Sequence, residues 1–575
     1  MAKKILTGAE ALIKCLENNG VEYIWGLSGG AALPIFDALV GSKIKLILVR
    51  HEQGASHMAD GYARATGRPG VVLVTSGPGA TNTLTGIMTA HMDSVPMIVI
   101  TGQQIRPMLG KDAFQEADIF DISMPIVKHS YLVKNTNDIP RVVREAFHIT
   151  STGRPGPVLI DIPKDVSSGD FEGDLFPEMD LPGYHPEATQ PDQAAILAIA
   201  EALNKSRQPV ILAGHGVLIA GAQDELRAFA EKSKIPITST LLGKGAFPEN
   251  HALSLGMLGM HGTAYANKAM CEADLIMSVG SRYDDRIIGK AALFGRNAVR
   301  IHIDIDSGEF GRMIKCHHYC HGDARTVLQE LSKHVTPLNT RDWLAHLDGY
   351  KQKYPLGFKS RGGLKMQHIL DELNTLTRGE AIITTDVGQH QMWAAQFCKT
   401  IKPNTWLTSG GAGTMGYGFP AAIGAQFGAP KKEVWAVVGD GGFQMTLCEL
   451  ATAAVNKLPV KVLVLNNSYL GMVRQWQELF FDKRESGVDL VGNPDFAALA
   501  NAYPGAKGFT LKRAADIRKV LQRARDYKEG PSVINCMVEK ADNVFPMIPA
   551  GAALEDMLIE QPKPHVKLAK PTGST

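Results

Sequence analysis

An acidic and an amide side chain each follow an apolar strand in the last third of the chain. Asp440 comes after a predicted strand over 434–438, and Asn467 comes after another predicted strand over 460–465. The carboxyl ends of neighbouring parallel strands share one edge of a sheet, where ligands bind. One carboxylate, one amide oxygen and a backbone carbonyl would form an all-oxygen site of low charge, which suits Mg2+ that also binds phosphate groups. An ordinary βαβ unit with a polar turn is the alternative.

Glycines surround the acid and predict close contact with an anionic ligand. Gly439, Gly441 and Gly442 flank Asp440 and are expected to form a tight turn that only glycine tolerates. A helix predicted over 443–456 follows, and its N-terminus would favour the negative charge of a diphosphate. The acid and the Asn-Asn pair, which begins 25 residues after Gly441, occur together by chance far less often than a lone Gly-Asp-Gly.

Three α/β units position these residues. Short apolar strands alternate with helices over 1–185, 194–340 and 365–550, which predicts three doubly wound parallel-sheet domains. The remaining 551–575 is expected to form a C-terminal tail, and its last residues are rich in Lys and Pro. Strands are predicted at 23–25, 45–49, 70–75, 97–101 and 158–162 in the first unit, at 210–212, 237–238, 275–279 and 299–305 in the second, and at 381–385, 406–407, 434–438, 460–465 and 532–538 in the third.

The overall composition is that of a globular protein. The 575 residues carry a net charge of +2 and are 45% hydrophobic, which fits an ample core and gives no reason to expect a nucleic-acid partner. The seven cysteines form no regular framework, which is typical of a reducing compartment. The sequence contains no apolar run of membrane-spanning length, and its N-terminus does not resemble a signal or transit peptide. A cytoplasmic protein without a membrane partner is therefore expected.

The two polar turns resemble the metal- and diphosphate-binding motif of the thiamine diphosphate (ThDP) enzymes. On that resemblance, Asp440 and Asn467 bind Mg2+ through their side chains and Tyr469 binds it through its carbonyl oxygen. The sequence RHEQGASHMADGYARATGRPGVVLVTSGPGATNTLTG resembles the first domain of the same enzymes. The resemblance implies that Glu52 bonds N1' of the aminopyrimidine and drives its 4'-imino form. A solvated turn residue or a helix cap is the plain alternative for Glu52.

Two further stretches of the third unit resemble ThDP-binding segments. The sequence SGGAGTMGYGFPAAIGAQ resembles the loop that holds the pyrimidine, which implies that the backbones of Gly413 and Met415 bond the ring and that Met415 keeps the cofactor bent. The same stretch also matches G-x-G-x-x-G, which is weak support for a dinucleotide site, and core packing is the alternative for Met415. The sequence DVGQHQMW at 386–393 resembles the second diphosphate-binding stretch of the family, and cofactor contacts are implied for Val387, Gly388, Gln389, His390, Gly439, Gly441, Gly442, Gly471 and Met472.

Four segments narrow the resemblance to the catalytic subunit of the acetohydroxyacid synthases, over essentially the whole chain. These are GKDAFQE at 110–116, LGMHGT at 258–263, SVGSRYDDR at 278–286 and GMVRQWQ at 471–477. In that family the middle domain binds FAD, and Arg282, Tyr283 and Asp285 would line the flavin or substrate channel. Arg282 could equally form a structural ion pair. Contacts with FAD are implied for Arg154, Gly214, Gly216, Met260, His261, Gly262, Thr263, Arg282, Asp285, Arg286, Asp304 and Asp323.

The same resemblance implies a set of residues at the reacting centre. Glu52, Phe114, Gln115, Lys164 and Trp476 are predicted to act there. In the family, the tryptophan of the MVRQWQELFF stretch favours 2-oxobutyrate as second substrate, whereas the plain alternative is a core tryptophan. One departure from the family pattern lies in the middle domain, where His215 interrupts a run that is commonly plain glycine. This histidine would contact FAD or solvent.

The resemblance implies a reaction between two 2-keto acids. Pyruvate would lose carbon dioxide, and the remaining two-carbon unit would pass to a second pyruvate or to 2-oxobutyrate, at the entry to branched-chain amino-acid synthesis. FAD would serve no net redox step. The ThDP site would lie between the first domain of one subunit and the third of another, so a homodimer or homotetramer is expected, with or without a small regulatory subunit. A pyruvate oxidase, a catabolic acetolactate synthase without FAD, and a non-catalytic relative are the alternatives.

Overall fold

The chain folds around three parallel sheets of six strands each. The computed structural model describes residues 5–186, 190–358 and 362–562. Most of the predicted C-terminal tail, from 563 onwards, lies outside the described residues. Within the described residues, no helix is long and apolar enough to cross a membrane.

The first domain contains a six-stranded parallel sheet and a short antiparallel ribbon. The sheet has the order β3-β2-β4-β5-β7-β6, and β1 pairs with β8 in the ribbon. The strands are β1 (Leu6–Thr7), β2 (Tyr23–Leu27), β3 (Lys45–Leu48), β4 (Gly70–Val74), β5 (Met97–Gln103), β6 (His129–Leu132), β7 (Pro157–Pro163) and β8 (Asp170–Phe171). The helices are α1 (Gly8–Asn18), α2 (Leu33–Ala38), α3 (Glu52–Thr66), α4 (Pro78–Thr81), α5 (Leu84–Asp93), α6 (Ile119–Ser123), α7 (Ile139–Ser151) and α8 (Lys164–Ser168).

The middle domain follows with strands β9 (Pro209–Ala213), β10 (Ile237–Ser239), β11 (Ser254–Met257), β12 (Leu275–Val279), β13 (Val299–Asp304) and β14 (His318–His321). Its helices are α9 (Gln193–Lys205), α10 (His215–Ile219), α11 (Gln223–Ser233), α12 (Ala264–Glu272), α13 (Asp285–Ile288) and α14 (Ala324–His334), and α15 (Arg341–Lys353) lies in the connection to the third domain. The sheet order is β11-β10-β9-β12-β13-β14. This is the 3-2-1-4-5-6 order of dinucleotide-binding sheets, whose ligand lies where the order reverses.

The third domain repeats the strand order of the first. Its strands are β15 (Ile382–Thr385), β16 (Trp406–Thr408), β17 (Val434–Gly439), β18 (Lys461–Asn466), β19 (Lys507–Leu511) and β20 (Ser532–Met537). Its helices are α16 (Met366–Thr377), α17 (Gln389–Phe397), α18 (Gly418–Gly428), α19 (Asp440–Thr446), α20 (Leu450–Val455), α21 (Gly471–Phe480), α22 (Phe496–Asn501) and α23 (Ile517–Asp526). The order β16-β15-β17-β18-β20-β19 matches that of the first sheet, strand for strand.

The first and third domains pack against each other through α3 and α18. A single hydrophobic core contains Trp25 and Met58 of the first domain together with Phe419 and Ile423 of the third. The helices approach so closely that a Cβ on Gly61 would overlap the backbone of Ala421. This contact fixes how the two similar sheets are oriented within one chain.

The structure confirms the fold class, with differences at the sheet edges. In the three six-stranded sheets the sequence analysis missed β6, β11, β14 and β19, and each of the four is an outermost strand. Central strands of parallel sheets are buried on both faces and have continuous apolar sequences, as in the fully buried LIMSV of β12. Each of the missed strands instead contains half-buried or exposed positions, as β19 does.

The helix predicted over 443–456 differs in its start and its continuity. Helix α19 begins at Asp440, where a carboxylate in the first turn is favoured by the helix dipole. A short 3-10 turn, Leu447–Glu449, then separates α19 from α20. Gly439 has a φ of −83°, so the turn before α19 does not require a left-handed backbone.

The chain end returns to the middle domain. The backbone N–H of Ile548 donates to the Met260 carbonyl, and that of Lys290 donates to the Ala552 carbonyl. Ile548 and Leu554 are buried in the same core cluster as Leu258 and Ile287. The first part of the predicted tail, up to about Leu558, therefore packs on the middle domain.

Candidate active site

A cavity of about 1060 Å3 joins the carboxyl edge of the third sheet to that of the middle sheet. In the third domain it lies at the reversal of strand order between β15 and β17, the expected ligand position for such a sheet. Third-domain residues predicted as functional that line it are Val387, Gly388, Gln389, His390, Gly413, Met415, Gly439, Asp440, Gly441, Gly442, Asn467, Tyr469, Gly471, Met472 and Trp476. The predicted residues of the middle domain that line the cavity are Gly216, Met260, His261, Arg282, Arg286, Asp304 and Asp323, and Arg154 of the first domain also lines it.

Asp440 is a buried carboxylate without a cationic partner among the described residues. It is 1% exposed, and its Oδ2 accepts a hydrogen bond of 2.6 Å from Nδ2 of Asn493. Desolvation raises the pKa of Asp440 to about 6, although the Asn493 bond acts in the opposite direction. A bound divalent cation would offset the cost of this desolvation, so the donor set fits a metal.

The turn after β18 presents two more oxygen atoms. Oδ1 of Asn467 accepts the Tyr469 N–H at 3.1 Å, which orients the amide. Ser468 adopts a left-handed φ of 55°, and this bend precedes Tyr469. Within the described chain, no backbone N–H donates to the Tyr469 carbonyl. The three predicted metal ligands therefore line the same cavity.

The glycines are required for close approach and not for an unusual turn. A Cβ on Gly442 would overlap the carboxylate of Asp386, and one on Gly439 would lie 2.7 Å from Cε1 of His390. A Cβ on Gly441 would lie 2.9 Å from Leu470. The absence of side chains lets the start of α19 approach both its neighbours and a ligand, at a helix N-terminus that favours anions.

His390 has an unsatisfied nitrogen next to this glycine cradle. The side chain is 6% exposed, and its Nε2 has no hydrogen-bond partner among the described residues. Burial lowers the pKa of His390 to about 3, so the free ring is neutral. A phosphate oxygen at this nitrogen would supply the missing partner and favour protonation.

The loop 409–416 leaves two residues available to a ligand. The N–H of Gly411 donates to Asp93 at 2.7 Å, and the N–H of Gly416 donates to Asp386 at 2.9 Å. Among the described residues, no hydrogen bond reaches the backbones of Gly413 and Met415. Gly413 has a φ of 64° and open space around its Cα. These two backbones are thus free to bond a ring in the cavity.

In the middle domain, glycines bring two strand ends together at the reversal between β9 and β12. The N–H of Gly216 donates to the Gly280 carbonyl at 3.0 Å, and a Cβ on Gly214 would overlap the same carbonyl. His215 turns its Nδ1 to the Asp93 carbonyl at 3.0 Å. Burial lowers the pKa of His215 to about 4, so it is a neutral group in the cavity wall and not a free surface histidine.

Charged side chains line the far end of the cavity. Arg154 pairs with Glu309 at 2.6 Å and with Asp306 at 3.2 Å, and Arg282 lies 3.7 Å from Asp284. Asp323 caps α14 by accepting from two backbone N–H groups. Both arginines retain exposed surface in the cavity. The sequence analysis left a structural ion pair and a place in the channel as alternatives for Arg282. In the structure Arg282 has both.

Several predicted cofactor residues of the middle domain lie outside this cavity. The hydroxyl of Thr263 donates to the Leu255 carbonyl and caps α12. Gly262 packs against the backbone of Leu258. Asp285 is exposed at the start of α13. Tyr283 does not line a channel, because it is 1% exposed and donates to the Ile301 carbonyl.

The first-domain residues predicted for the reacting centre also lie outside the cavity. Glu52, at the start of α3, is 7% exposed and accepts a hydrogen bond of 3.0 Å from Nδ2 of Asn82. Phe114 is 84% exposed. Gln115 has a left-handed φ of 58°. Lys164 is exposed at the start of α8. The chain alone does not bring these residues to Asp440.

Trp476 lies in the cavity wall and is not a core residue. It is on α21, half-buried, and stacks edge-on against Phe480 with ring centroids 5.4 Å apart. The neighbouring Arg474 and Gln475 are buried on the opposite side of the helix. The indole therefore offers an apolar surface to the cavity.

Sequence reasoning missed three polar residues at the site. Asn493 supports Asp440 from a loop 53 residues further along the chain, a separation that no local pattern reveals. Asn82 lies within the quoted first-domain stretch, where a polar residue after a glycine turn was the available signal. Asp93 holds loop 409–416, and its position at the end of α5 gave no signal.

Comparison with protein families assigns the class. Residues 6–122 match the N-terminal TPP binding domain of thiamine pyrophosphate enzymes. Residues 196–331 match the central domain and residues 386–536 the C-terminal TPP binding domain. Thiamine pyrophosphate is another name for ThDP. The fold and the site thus define a ThDP enzyme.

Similar proteins narrow this class further. The chain is 46% identical over 568 residues to the acetolactate synthase large subunit of Corynebacterium glutamicum, covering 97% of this chain and 90% of that protein. It is 46% identical over 570 residues to the large subunit from Mycobacterium tuberculosis, covering 97% and 92%. The large subunit of Lactococcus lactis is 45% identical over 564 residues, covering 97% and 96%. The chain belongs to the acetolactate synthase large-subunit family.

Proposed function

We propose that this chain decarboxylates pyruvate and transfers the two-carbon unit to a second 2-keto acid. Transfer to pyruvate gives 2-acetolactate, and transfer to 2-oxobutyrate gives 2-aceto-2-hydroxybutyrate, the first common step of branched-chain amino-acid synthesis. The likeness over 97% of the chain to an acetolactate synthase large subunit carries this proposal. The joined cavity with Asp440 at one end and the middle-domain reversal at the other supports it.

ThDP and Mg2+ are the proposed cofactors of the third domain. When bound, ThDP supplies an acidic ring carbon and an electron sink for decarboxylation. Asp440, Asn467 and the Tyr469 carbonyl would hold Mg2+, and the glycines around α19 with His390 would receive the diphosphate. The backbones of Gly413 and Met415 would bond the pyrimidine. This set fits because it combines buried oxygen donors with unpaired polar atoms.

FAD is the proposed ligand of the middle domain. The strand order is that of dinucleotide-binding sheets, and the glycine contacts at Gly216 and Gly280 permit close approach of a pyrophosphate. Arg154 and Arg282 would face its charged groups. Since the overall reaction has no net redox change, FAD would serve to shape the site.

The catalytic unit is proposed to be a homodimer or a homotetramer built from such dimers. Glu52, Phe114, Gln115 and Lys164 do not line the cavity of their own chain. They would therefore act at the site of a partner subunit, where Glu52 would bond N1' of the aminopyrimidine and exchange a proton with it. The relatives are named large subunits, which supports a smaller regulatory partner.

A product assay tests the proposal directly. Purified protein would be supplied with pyruvate, ThDP and Mg2+, with and without FAD and 2-oxobutyrate. Formation of acetolactate that requires added FAD is the expected result. Oxygen consumption with pyruvate would identify a pyruvate oxidase, and FAD-independent synthesis by a colourless protein would identify the catabolic enzyme. Absence of ThDP binding would indicate a non-catalytic relative.

A further inference from the structure

One buried carboxylate of the first domain holds the loop 409–416 of the third. Oδ2 of Asp93 accepts the Gly410 N–H at 3.1 Å, and Oδ1 accepts the Gly411 N–H at 2.7 Å. The side chain of Asp93 has no exposed surface. A carboxylate that bonds two successive peptide N–H groups fixes the orientation of both peptides, because each bond is charge-assisted.

The charge of Asp93 is balanced by Arg64 on α3. The guanidinium donates to Asp93 at 2.8 Å and to Asp60 at 2.7 Å, and it is 6% exposed. It also donates to the Thr408 carbonyl at 3.0 Å, directly before the loop. The anchor of the loop is therefore itself held at a fixed place in the first domain.

The loop 409–416 packs closely against Asp93 and its neighbours. A Cβ on Gly411 would lie 2.8 Å from Cβ of Met92 and 2.9 Å from Oδ1 of Asp93. Further along, the hydroxyls of Thr414 and Thr89 lie 2.7 Å apart. Between these fixed points, Gly413 remains exposed to the cavity. The loop is thus held at positions that alternate with the residues left free.

We propose that Asp93 is a positioning residue for the thiamine cofactor. By fixing Gly410 and Gly411, it presents the free backbones of Gly413 and Met415 to the cavity in the geometry that a pyrimidine ring requires. Asp93 acts through the loop and does not itself touch the ring. This inference rests on the proposed use of ThDP.

Asp93 contacts the middle domain through its backbone and the loop through its side chain. The carbonyl of Asp93, and not its carboxylate, accepts the hydrogen bond from His215. A change of the side chain therefore leaves the contact with the middle domain in place. Loss of the carboxylate should weaken ThDP binding without weakening FAD binding.

The test compares Asp93→Asn with Asp60→Asn in the full-length protein. Both variants remove one carboxylate from Arg64, but only Asp93 bonds the loop, and the amide in Asp60→Asn can still accept from Tyr417. Tryptophan fluorescence would give the Kd of ThDP with Mg2+, flavin fluorescence the Kd of FAD, and thermal unfolding the stability. Asp93→Asn should raise the Kd of ThDP roughly 10- to 100-fold, the range for loss of a hydrogen bond to a charged group. Asp60→Asn should change it little, and both variants should retain FAD binding.

Gly411→Ala provides a second variant with all charges intact. Its methyl group would push the loop away from Asp93, so ThDP affinity should fall while the Arg64–Asp93 pair and FAD affinity remain. Equal ThDP affinity in Asp93→Asn and the wild type would overturn the role of Asp93, as would a parallel loss of ThDP and FAD binding in both aspartate variants. Absence of ThDP binding in the wild type would instead overturn the proposed function itself.

Discussion

At the residue scale, Asp440 shows how local burial selects the ligand. Its carboxylate is desolvated, and among the described residues only the Asn493 amide donates to it from a side chain. A neutral donor offsets little of the cost of burying a charge, whereas a divalent cation offsets most of it. The neighbouring amide of Asn467 and carbonyl of Tyr469 add oxygen donors without adding charge. This chemistry would suit the proposed Mg2+ site, in which the cation also binds a diphosphate.

Glu52→Gln tests the assignment of the proton-transferring carboxylate. The substitution preserves volume and the contact with Asn82, but an amide cannot exchange a proton with N1' of the aminopyrimidine and so cannot favour its 4'-imino form. We expect kcat for acetolactate formation to fall by about 100- to 10,000-fold, with an unchanged thermal unfolding midpoint. Asn82→Ala keeps the carboxylate and should cause a much smaller loss. Near-wild-type turnover of Glu52→Gln at saturating ThDP would contradict the assignment.

Trp476→Leu tests the choice of second substrate. The indole offers a flat apolar wall, and one methylene in such a wall is worth about 1–3 kcal/mol of discrimination. We expect acetolactate formation to persist, while the preference for 2-oxobutyrate over pyruvate falls by roughly tenfold or more. A competition assay that measures both products would check this result. An unchanged product ratio would assign Trp476 to packing against Phe480 alone.

Spacing in the sequence predicted some of the site residues and could not predict others. Asp440 and Asn467 are each one residue beyond a buried strand, so a parallel sheet places them together whatever the details. Asn493 and Asp93 reach the site through loop and helix ends that are distant in sequence. Their roles depend on the packing of one domain against another, which no local pattern encodes.

At the element scale, sheet topology was predictable where strands are central. The fully buried strands have continuous apolar sequences, and every one of them was predicted. The missed strands at the edges, such as β14 and β19, contain polar residues on the face that meets solvent, so they resemble loops in sequence. The glycine-only turn predicted around Asp440 was wrong, because close packing and not a left-handed backbone requires these glycines.

Asp161 on β7 should make the first domain sensitive to pH. It accepts from Thr101 at 2.6 Å and from Gln103 at 2.9 Å, and desolvation raises its pKa to about 7. The folded state then holds a proton that the unfolded chain releases at lower pH, so stability falls as pH rises from about 4 to about 7 and levels off above. Asp161→Asn removes this dependence.

The measurement is the thermal unfolding midpoint of Asp161→Asn and of the wild type from about pH 5 to pH 8. The free energy of unfolding of the variant, relative to that of the wild type, should increase by up to about 1.4 kcal/mol for each pH unit as the pH rises to 7. Above pH 7 the difference should stay constant. Asp118→Asn is the matched control, since the charge of Asp118 contributes only the smallest of the causes that shift the Asp161 pKa, and an asparagine still caps α6. A constant difference across the range would assign Asp161 a charged state throughout.

At the scale of the whole molecule, the catalytic groups are divided between two places. The cavity of the chain contains the proposed metal ligands, the loop 409–416 and the strand-order reversal of the middle domain, whereas Glu52 and the exposed Phe114 lie elsewhere on the first domain. The contact of α3 with α18 fixes the first domain on its own third domain in this arrangement. If the proposed roles of these residues hold, completion of the site requires the first domain of a second subunit.

Mixed dimers test this division of labour. Glu52→Gln and Asp440→Ala would each be inactive alone, but their heterodimer contains one site with both residues intact if the sites lie between subunits. Purified heterodimers, separated by two affinity tags, should therefore show about half the wild-type activity per dimer. The decisive control is a heterodimer of wild type with the double variant, in which each shared site lacks one group, so it should be inactive. If each chain formed its own site, the two results would be exchanged. The heterodimer of Glu52→Gln with Asp440→Ala would be inactive, and the heterodimer of wild type with the double variant would have half the wild-type activity.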